Sequence, residues 1–576
     1  MAVIPRAPAR HQRSLTAPSP WWGWRWSDLV GHHRSAWPLV SSLIAVALAL
    51  PILTVLVSLL QPKDPIWEHL ARTVLPTYLA NTLWLAVGVG LGTLVLGTGT
   101  AWLVTMCRFP GRGLFEWALL LPMAMPTYLI AYAYTDLLQF TGPVQSTLRA
   151  WTGWSRHDYW FPQIRSLEGA IVVMALVLYP YVYLLARAAF LQQSVALLEA
   201  SRLLGRGPWH SFFTVALPLA RPALVAGTAL AIMEALADYG AVQYFAVDTF
   251  STGIYRTWFG MNSLPTATQL AACLVLVVLA VLALERLGRG RARFHATTHS
   301  LRPLPAYRLG GVRAALAVLA CALPFTLGFL VPAGAFVRMT QRGGDPLWGP
   351  AFLQLISNTF TLSAITAALA VLLALLLAYS LRLAPSPVTR ITARLAALGY
   401  AVPGAVIAVG VLIVAGWIDN RLLGGLRQWL GLSPGLVFGG TVAALVFAYL
   451  VRYLTASFTT VEASLTRISP SLDEAPRTLG HGLLSTLRRV HVPLLRGGLL
   501  TAALLVFVDV MKELPATLAI RPFNFDTLAI RVYRLATDER LAEASTAALA
   551  IVVVGLLPVI VLSIAITRSR VGAEGD

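Results

Sequence analysis

The chain has 576 residues, 57% of them hydrophobic and 12% charged, with a mean hydropathy of +0.71. A soluble protein carries about 25% charged residues, so a water-soluble globule is excluded. The formal net charge of +19 sits on the flanks of apolar runs and not in a separate basic patch, which argues against nucleic-acid binding.

In chain order, residues 1–35 contain Arg and Trp but no short apolar core with a small-residue cleavage site. They read as a cytoplasmic tail and not a cleaved signal. Apolar runs long enough to cross a bilayer then predict spans near 36–60, 82–106, 114–138, 169–190, 219–240 and 266–285. A basic linker, 286–313, leads to spans near 311–337, 358–381, 395–417, 435–456, 494–515 and 543–566, followed by a tail at 567–576. Lipid offers no partner to open backbone groups, so these are helices. Barrel strands would alternate apolar and polar residues, and these runs do not. With the N-terminus inside, inward loops and tails hold about two thirds of the 44 Lys and Arg. Both termini are therefore expected in the cytoplasm. Cys107, Cys273 and Cys321 lie in or beside spans without metal-ligand spacing and read as packing residues.

The chain is a tandem repeat. "EASRLLGRGPWHSFFTVALP" (199–218) and "EAPRTLGHGLLSTLRRVHVP" (474–493) share eight of twenty residues without a gap. Asn81-Thr82 matches Asn358-Thr359, Pro126 matches Pro403, Asp248-Thr249 matches Asp526-Thr527, and Tyr255 matches Tyr533. The fold class expected is thus an all-α polytopic membrane protein. About twelve spans form two parallel six-helix repeats, 36–285 and 314–566, with a transport path between the halves. Six spans return the chain to the side it left, so both polar segments face the cytoplasm.

Within each segment the residues from Glu to the first Gly suit two helical turns. Gly205 and Gly207, or Gly480 and Gly482, then break the helix through left-handed backbone angles. A second helical piece runs to Pro218 or Pro493, where the next span begins. Each segment is expected to be an elbow at the membrane face, tied covalently to a span and suited to passing force into it. An interfacial loop inherited by duplication is the plainer alternative.

This pattern resembles the loop of binding-protein-dependent ABC importer permeases, in which a coupling helix sits in a groove of the ATPase subunit. The resemblance implies that Glu199, Ala200, Gly205 and Pro218, with Glu474, Ala475, Gly480 and Pro493, couple the chain to two ABC ATPase subunits. The third motif position departs from the family's alanine, being Ser201 in one half and Pro476 in the other. "EALADYGAVQYFAVDTFSTGIYRTWFGM" and "KELPATLAIRPFNFDTLAIRVY" resemble the fused two-half iron(III) importer type. That type implies iron(III) as cargo, a periplasmic or lipid-anchored substrate-binding protein as partner, and the cell inner membrane as location. A permease for thiamine, phosphonate or another small solute is the alternative, with a secondary transporter after it. No phosphate-cradling loop occurs, because Lys63 and Lys512 are the only lysines and neither follows glycine. ATP and Mg belong to partner subunits, and this chain is not expected to be an enzyme.

The span after each elbow carries acids. Glu234 and Asp238, like Asp509 and Glu513, are spaced i, i+4, which on a helix puts them on one face. At about 1.5 Å per residue from Pro218, Glu234 lies roughly 24 Å along the span. One reading is a symmetric acidic throat for a cation, helped by Tyr128, Tyr132 and Tyr134 of a proline-broken third span, without a tight metal site. The other is a set of hydrogen bonds that lock helices, with Lys512 or Arg221 as counter-charge. His210, His481 and His491 near the elbows read as solvated interfacial residues. Asp248-Thr249 and Asp526-Thr527, on outward loops, either help dock the binding protein or cap short helices.

Overall fold

A computed structural model describes residues 37–61, 64–191, 193, 203, 207–289, 306–346, 349–422, 438–466, 468–469, 471–478, 480 and 482–568. The two tails, most of the linker and the first elbow's Glu199, Ala200, Ser201 and Gly205 lie outside these. Among the described residues eleven helices are long and apolar enough to span a membrane, and twelve if one bent pair counts as a span. In the first half they are Trp37–Leu60, Leu75–Met106, the bent pair Arg112–Ala124 with Thr127–Thr152, Leu167–Leu191, Trp209–Ala237 and Leu264–Gly288. In the second they are Gly311–Arg342, Pro350–Leu383, Gly404–Arg421, Val442–Leu465, Leu484–Met511 and Leu541–Val561. Six and six is the expected repeat.

Counting apolar residues misplaced several ends. Span three, placed at 114–138, is broken at its proline as expected. It turns by 92° at Pro126, whose ψ of 141° is extended. Span nine breaks at the repeat-equivalent Pro403, ψ 143°, so 395–417 is corrected to a span opening at Gly404. The amphipathic helix Pro387–Ala396 precedes it. Span ten is Val442–Leu465 rather than 435–456. Its polar second half, with Arg452 and several Thr and Ser, hid it from a hydropathy count. Residues 311–313, assigned to the linker, already belong to span seven.

The first span of each half packs on the opposite half. Ala45, Leu48 and Val55 share a core with Val406, Val409 and Leu454. In the reverse sense Ala335, Phe336 and Met339 pack among Met125, Leu129 and Tyr132. Two arms crossed in this way bind the repeats into one body. Backbones approach closely at these crossings: a Cβ on Gly410 would lie 2.3 Å from the Pro51 carbonyl oxygen. Gly410→Val is therefore expected to lower stability by about 1–3 kcal/mol, read as a fall in the thermal midpoint of the purified chain. An unchanged midpoint contradicts the crossed packing.

The paired sequence motifs bond to one another. Asn81 Nδ2 donates to the Asp248 carbonyl at 2.9 Å, and Asn358 Nδ2 donates to that of Asp526 at 3.1 Å. Thr82 Oγ1 accepts from Phe250 N at 3.2 Å, and Thr359 Oγ1 accepts from Leu528 N at 2.9 Å. These bonds seat the short helices Phe250–Tyr255 and Leu528–Thr537 on the second span of each half. Asp248 pairs with Arg256 at 2.6 Å and Asp526 with Arg534 at 2.8 Å. The Asp248 hydrogen bond holds the Arg256 guanidinium above its ordinary pKa. Thr527 does cap its helix, accepting from Ile530 N.

Candidate functional site: two elbows and a polar cavity at the repeat interface

The second elbow is described almost completely. Helix Ser471–Thr478 is followed by Gly480 at φ 78°, a left-handed turn that L side chains rarely adopt. The chain re-enters helix at Leu483 and continues into the span. Among the described glycines expected to break helices, Gly480 has a positive φ and Gly207 and Gly482 do not; Gly205 lies outside the described residues. The elbow helix begins three residues before Glu474, so Pro476 is interior and buried rather than in the first turn. The junction with the span also differs from expectation. Neither span begins at its proline, because a π turn runs without interruption into it in both halves. Leu217 N bonds to Phe212 O and Val492 N to Leu487 O, an i→i−5 pattern just before Pro218 and Pro493. Proline lacks an N–H and crowds the carbonyl four residues back; one wider turn relieves this without ending the helix. The second helical piece of each elbow and its span are one rod.

Charged contacts fix the second elbow. Arg382, in the last turn of span eight, donates to Asp473 at 2.8 Å and to the carbonyls of Leu465, Ile468 and Ser469. His491 Nε2 lies 3.0 Å from Asp473 Oδ1, without the alignment of a hydrogen bond. It is fully buried against the Tyr379 ring, not solvated as expected. His210 is exposed as expected, while His481 lies outside the described residues. Glu474 is exposed, and so are Leu484 at 77% and, on the first elbow, Leu203 at 89% and Trp209 at 71%.

At the other end of the same rods the halves enclose a cavity of about 90 Å³. Glu234, Asp238, Asp509 and Glu513 all line it, with Tyr128, Tyr181, Arg452, Tyr453 and Lys512. The i, i+4 helical pairing expected of these acids does not occur. The spans stop at Ala237 and Met511, and Asp238 and Glu513 lie beyond the helix ends. They do different work from Glu234 and Asp509. Asp238 Oδ1 accepts from Ala241 N at 2.7 Å, and its other oxygen accepts from Thr127 Oγ1. Glu513 accepts from Ala516 N at 2.8 Å, Thr517 N at 2.9 Å, Thr517 Oγ1 at 2.6 Å and Arg452 Nη1 at 3.1 Å. Each caps the short helix that follows, Gly240–Tyr244 or Pro515–Ile520. The helix-locking reading fits these two acids.

The halves reach that result differently. Thr127, just after Pro126, bonds Asp238 directly. Its repeat counterpart is Gly404, where a Cβ would come within 2.5 Å of Arg452 Nη1 and 2.9 Å of Glu513 Oε1. Glycine there makes room for the buried Arg452–Glu513 pair. Arg452 also lies 5.3 Å from the Tyr453 ring centroid.

Glu234 and Asp509 sit in the last turns of their spans at equivalent positions. Tyr400 stands close enough to Glu234 and Tyr181 to interact electrostatically with both. Lys512 Nζ lies 2.9 Å from Asp509 Oδ1. Lys512 is thus the counter-charge for Asp509, whereas Arg221 lies in a separate apolar cleft. Tyr128 lines the cavity, but Tyr132 does not: its ring packs against Tyr128 and Tyr244. Tyr134 is drawn off by a 2.6 Å bond to the Leu327 carbonyl. On the side away from the elbows, Tyr239 OH and Tyr533 OH meet at 3.2 Å across the halves, and Tyr255 OH donates to Pro515 O at 2.5 Å. Among the described residues no group of three His, Cys, Asp or Glu is placed to hold a metal ion.

Sequence reasoning missed Arg452, Thr127, Tyr181 and Tyr400. The arginine left a signal, since a charge deep inside an apolar span marks a site by default.

Residues 93–291 match the family model described as binding-protein-dependent transport system inner membrane component. The chain is 28% identical over 502 residues to the Fe(3+)-transport system permease protein FbpB 2 of Haemophilus influenzae, spanning 86% of this chain and 91% of the relative. It is also 28% identical over 239 residues to the molybdenum transport system permease protein ModB of Escherichia coli, which takes 40% of this chain and 97% of that protein. A sulfate transport system permease protein, CysT of Escherichia coli, is 29% identical over 204 residues, 35% of this chain and 71% of its own.

The second piece of each elbow runs on into a membrane helix, and a polar cavity lies between the repeats, an arrangement that suits a transport permease. Over residues 93–291 the chain is similar to binding-protein-dependent ABC permeases, and over most of its length to a two-half Fe(3+)-transport permease.

Proposed function

We propose that this permease imports iron(III), driven by two partner ATPases that grip the elbows. The observation that carries the reading is end-to-end similarity to an Fe(3+)-transport permease, joined to a cavity walled by carboxylates and phenols. Hard cations favour such oxygen donors. Glu199, Ala200, Gly205 and Pro218, with Glu474, Ala475, Gly480 and Pro493, form the coupling surfaces, and the exposed Leu203, Trp209 and Leu484 supply apolar contact to the ATPases. Glu234, Asp509 and Tyr128 face the passing cation. Asp238 and Glu513 hold the walls in place, and Tyr132 packs behind Tyr128.

ATP binding on the partners draws the elbows together and parts Tyr239 from Tyr533, so that the cavity opens to a loaded binding protein outside. Hydrolysis returns the halves and releases the cargo inward. Both termini lie in the cytoplasm, and no covalent chemistry takes place on this chain.

A second reading has support in the molybdenum and sulfate permeases among the relatives, with Arg452 and Lys512 as anion contacts. Both cations are already paired with carboxylates, which favours iron. The test is ATP-dependent uptake by vesicles holding this chain, its ATPases and its binding protein. Accumulation of radioactive iron(III), but not of molybdate or sulfate, is expected; oxyanion uptake without iron overturns the proposal.

A further inference from the structure

We infer that Lys512 is a tethered stand-in for the transported cation: its ammonium occupies the Asp509–Glu234 carboxylate pair when the path is empty and leaves when cargo arrives. The inference rests on the cation-importer reading above and names the residue that keeps the site from retaining ions.

Glu234 and Asp509 come from equivalent positions of the repeat and enter one cavity. The only lysine on the described chain within that cavity stands at the C-cap of span eleven, 2.9 Å from Asp509. Glu234 acts on it electrostatically as well. The first half has Ala237 at the corresponding position, so one tethered cation serves two carboxylates. The other positive group behaves differently. Arg452 is 8% exposed, pairs with a Glu513 that is 4% exposed, and is fixed by the caps around it. Lys512 has a side chain 27% exposed and a single ion pair, that with Asp509.

A compact ammonium on a flexible four-carbon stem can swing aside. The remaining members suit a hard cation: two carboxylates, with the Tyr181, Tyr400 and Tyr453 phenols nearby. Asp238 and Glu513 are not available, because their oxygens are held by backbone N–H groups and by Thr127 or Arg452. An internal ammonium competes with any entering ion and speeds its departure. Conduction needs binding weak enough to let go.

Terbium(III), a hard trivalent probe whose emission is sensitised by nearby tyrosine, tests this on the full chain in nanodiscs. Wild type should bind weakly at this site. Lys512→Met should bind at least about tenfold tighter, since a competing charge in contact has been removed. Lys512→Arg, which keeps the tether charged, should stay within about threefold of wild type and guards against a Met variant that misfolds. Adding Glu234→Gln and Asp509→Asn to Lys512→Met should abolish the gain, separating this site from surface acids. Equal affinity in wild type and Lys512→Met, or a gain that survives loss of both carboxylates, overturns the inference. The two proposals fail separately: a terbium gain without iron uptake sinks the choice of cargo, and iron uptake without a terbium gain sinks the tethered cation.

Discussion

Replacing Arg452 by Met should destabilise the chain by about 3–5 kcal/mol, the usual cost of leaving one member of a buried ion pair without its partner. The size follows from how completely Glu513 is enclosed. Its carboxylate caps Pro515–Ile520 through two backbone N–H groups and meets Arg452 at 3.1 Å, with 4% of the residue exposed. Without the guanidinium, a buried carboxylate loses its ion-pair partner. The double variant Arg452→Met/Glu513→Gln should recover much of the loss, because glutamine keeps an acceptor for the cap and removes the charge. Thermal midpoints of the purified proteins decide the matter. If the single and double variants are equally unstable, the pair is not the source of the effect.

The second large effect is expected at Gly480. Proline fixes φ near −65°, whereas Gly480 sits at φ 78°, so Gly480→Pro cannot keep the turn between Ser471–Thr478 and the rod that begins at Leu484. Strain of about 1–3 kcal/mol falls on that turn, outside the packed bundle. Membrane insertion and thermal stability should therefore change little, while ATP-dependent uptake falls at least tenfold. Combined with Gly205→Pro, co-purification of the ATPases should be lost. Full uptake by Gly480→Pro would show that elbow geometry is not what the ATPase uses.

Much of the architecture is legible in the sequence because it rests on long-range counting. Span number follows from apolar run length, and the repeat from a near-constant offset. Asn81-Thr82 and Asp248-Thr249 stood out as pairs, yet that they bond to one another follows only from tertiary placement. The site was half legible. The four acids do share one cavity, but an i, i+4 rule assumed a helix that ends at Ala237 and at Met511. What stops each helix is the next short one, whose first N–H groups take the acid as a cap. That competition between continuing a helix and capping a new one is settled by packing between halves, which no local pattern records. Tyr132 and Tyr134 illustrate the same limit, since proximity in sequence to Tyr128 did not put them at the cavity wall.

Levers moved by an external motor must change their separation as the motor cycles. Nitroxide labels at Leu203→Cys and Glu474→Cys, both on exposed positions, report the distance between them once Cys107, Cys273 and Cys321 are replaced. In the complex with its ATPases, adding ATP without hydrolysis should shorten that distance by several ångströms, and hydrolysis should restore it. A distance that stays constant through the cycle while cargo still accumulates would contradict the account.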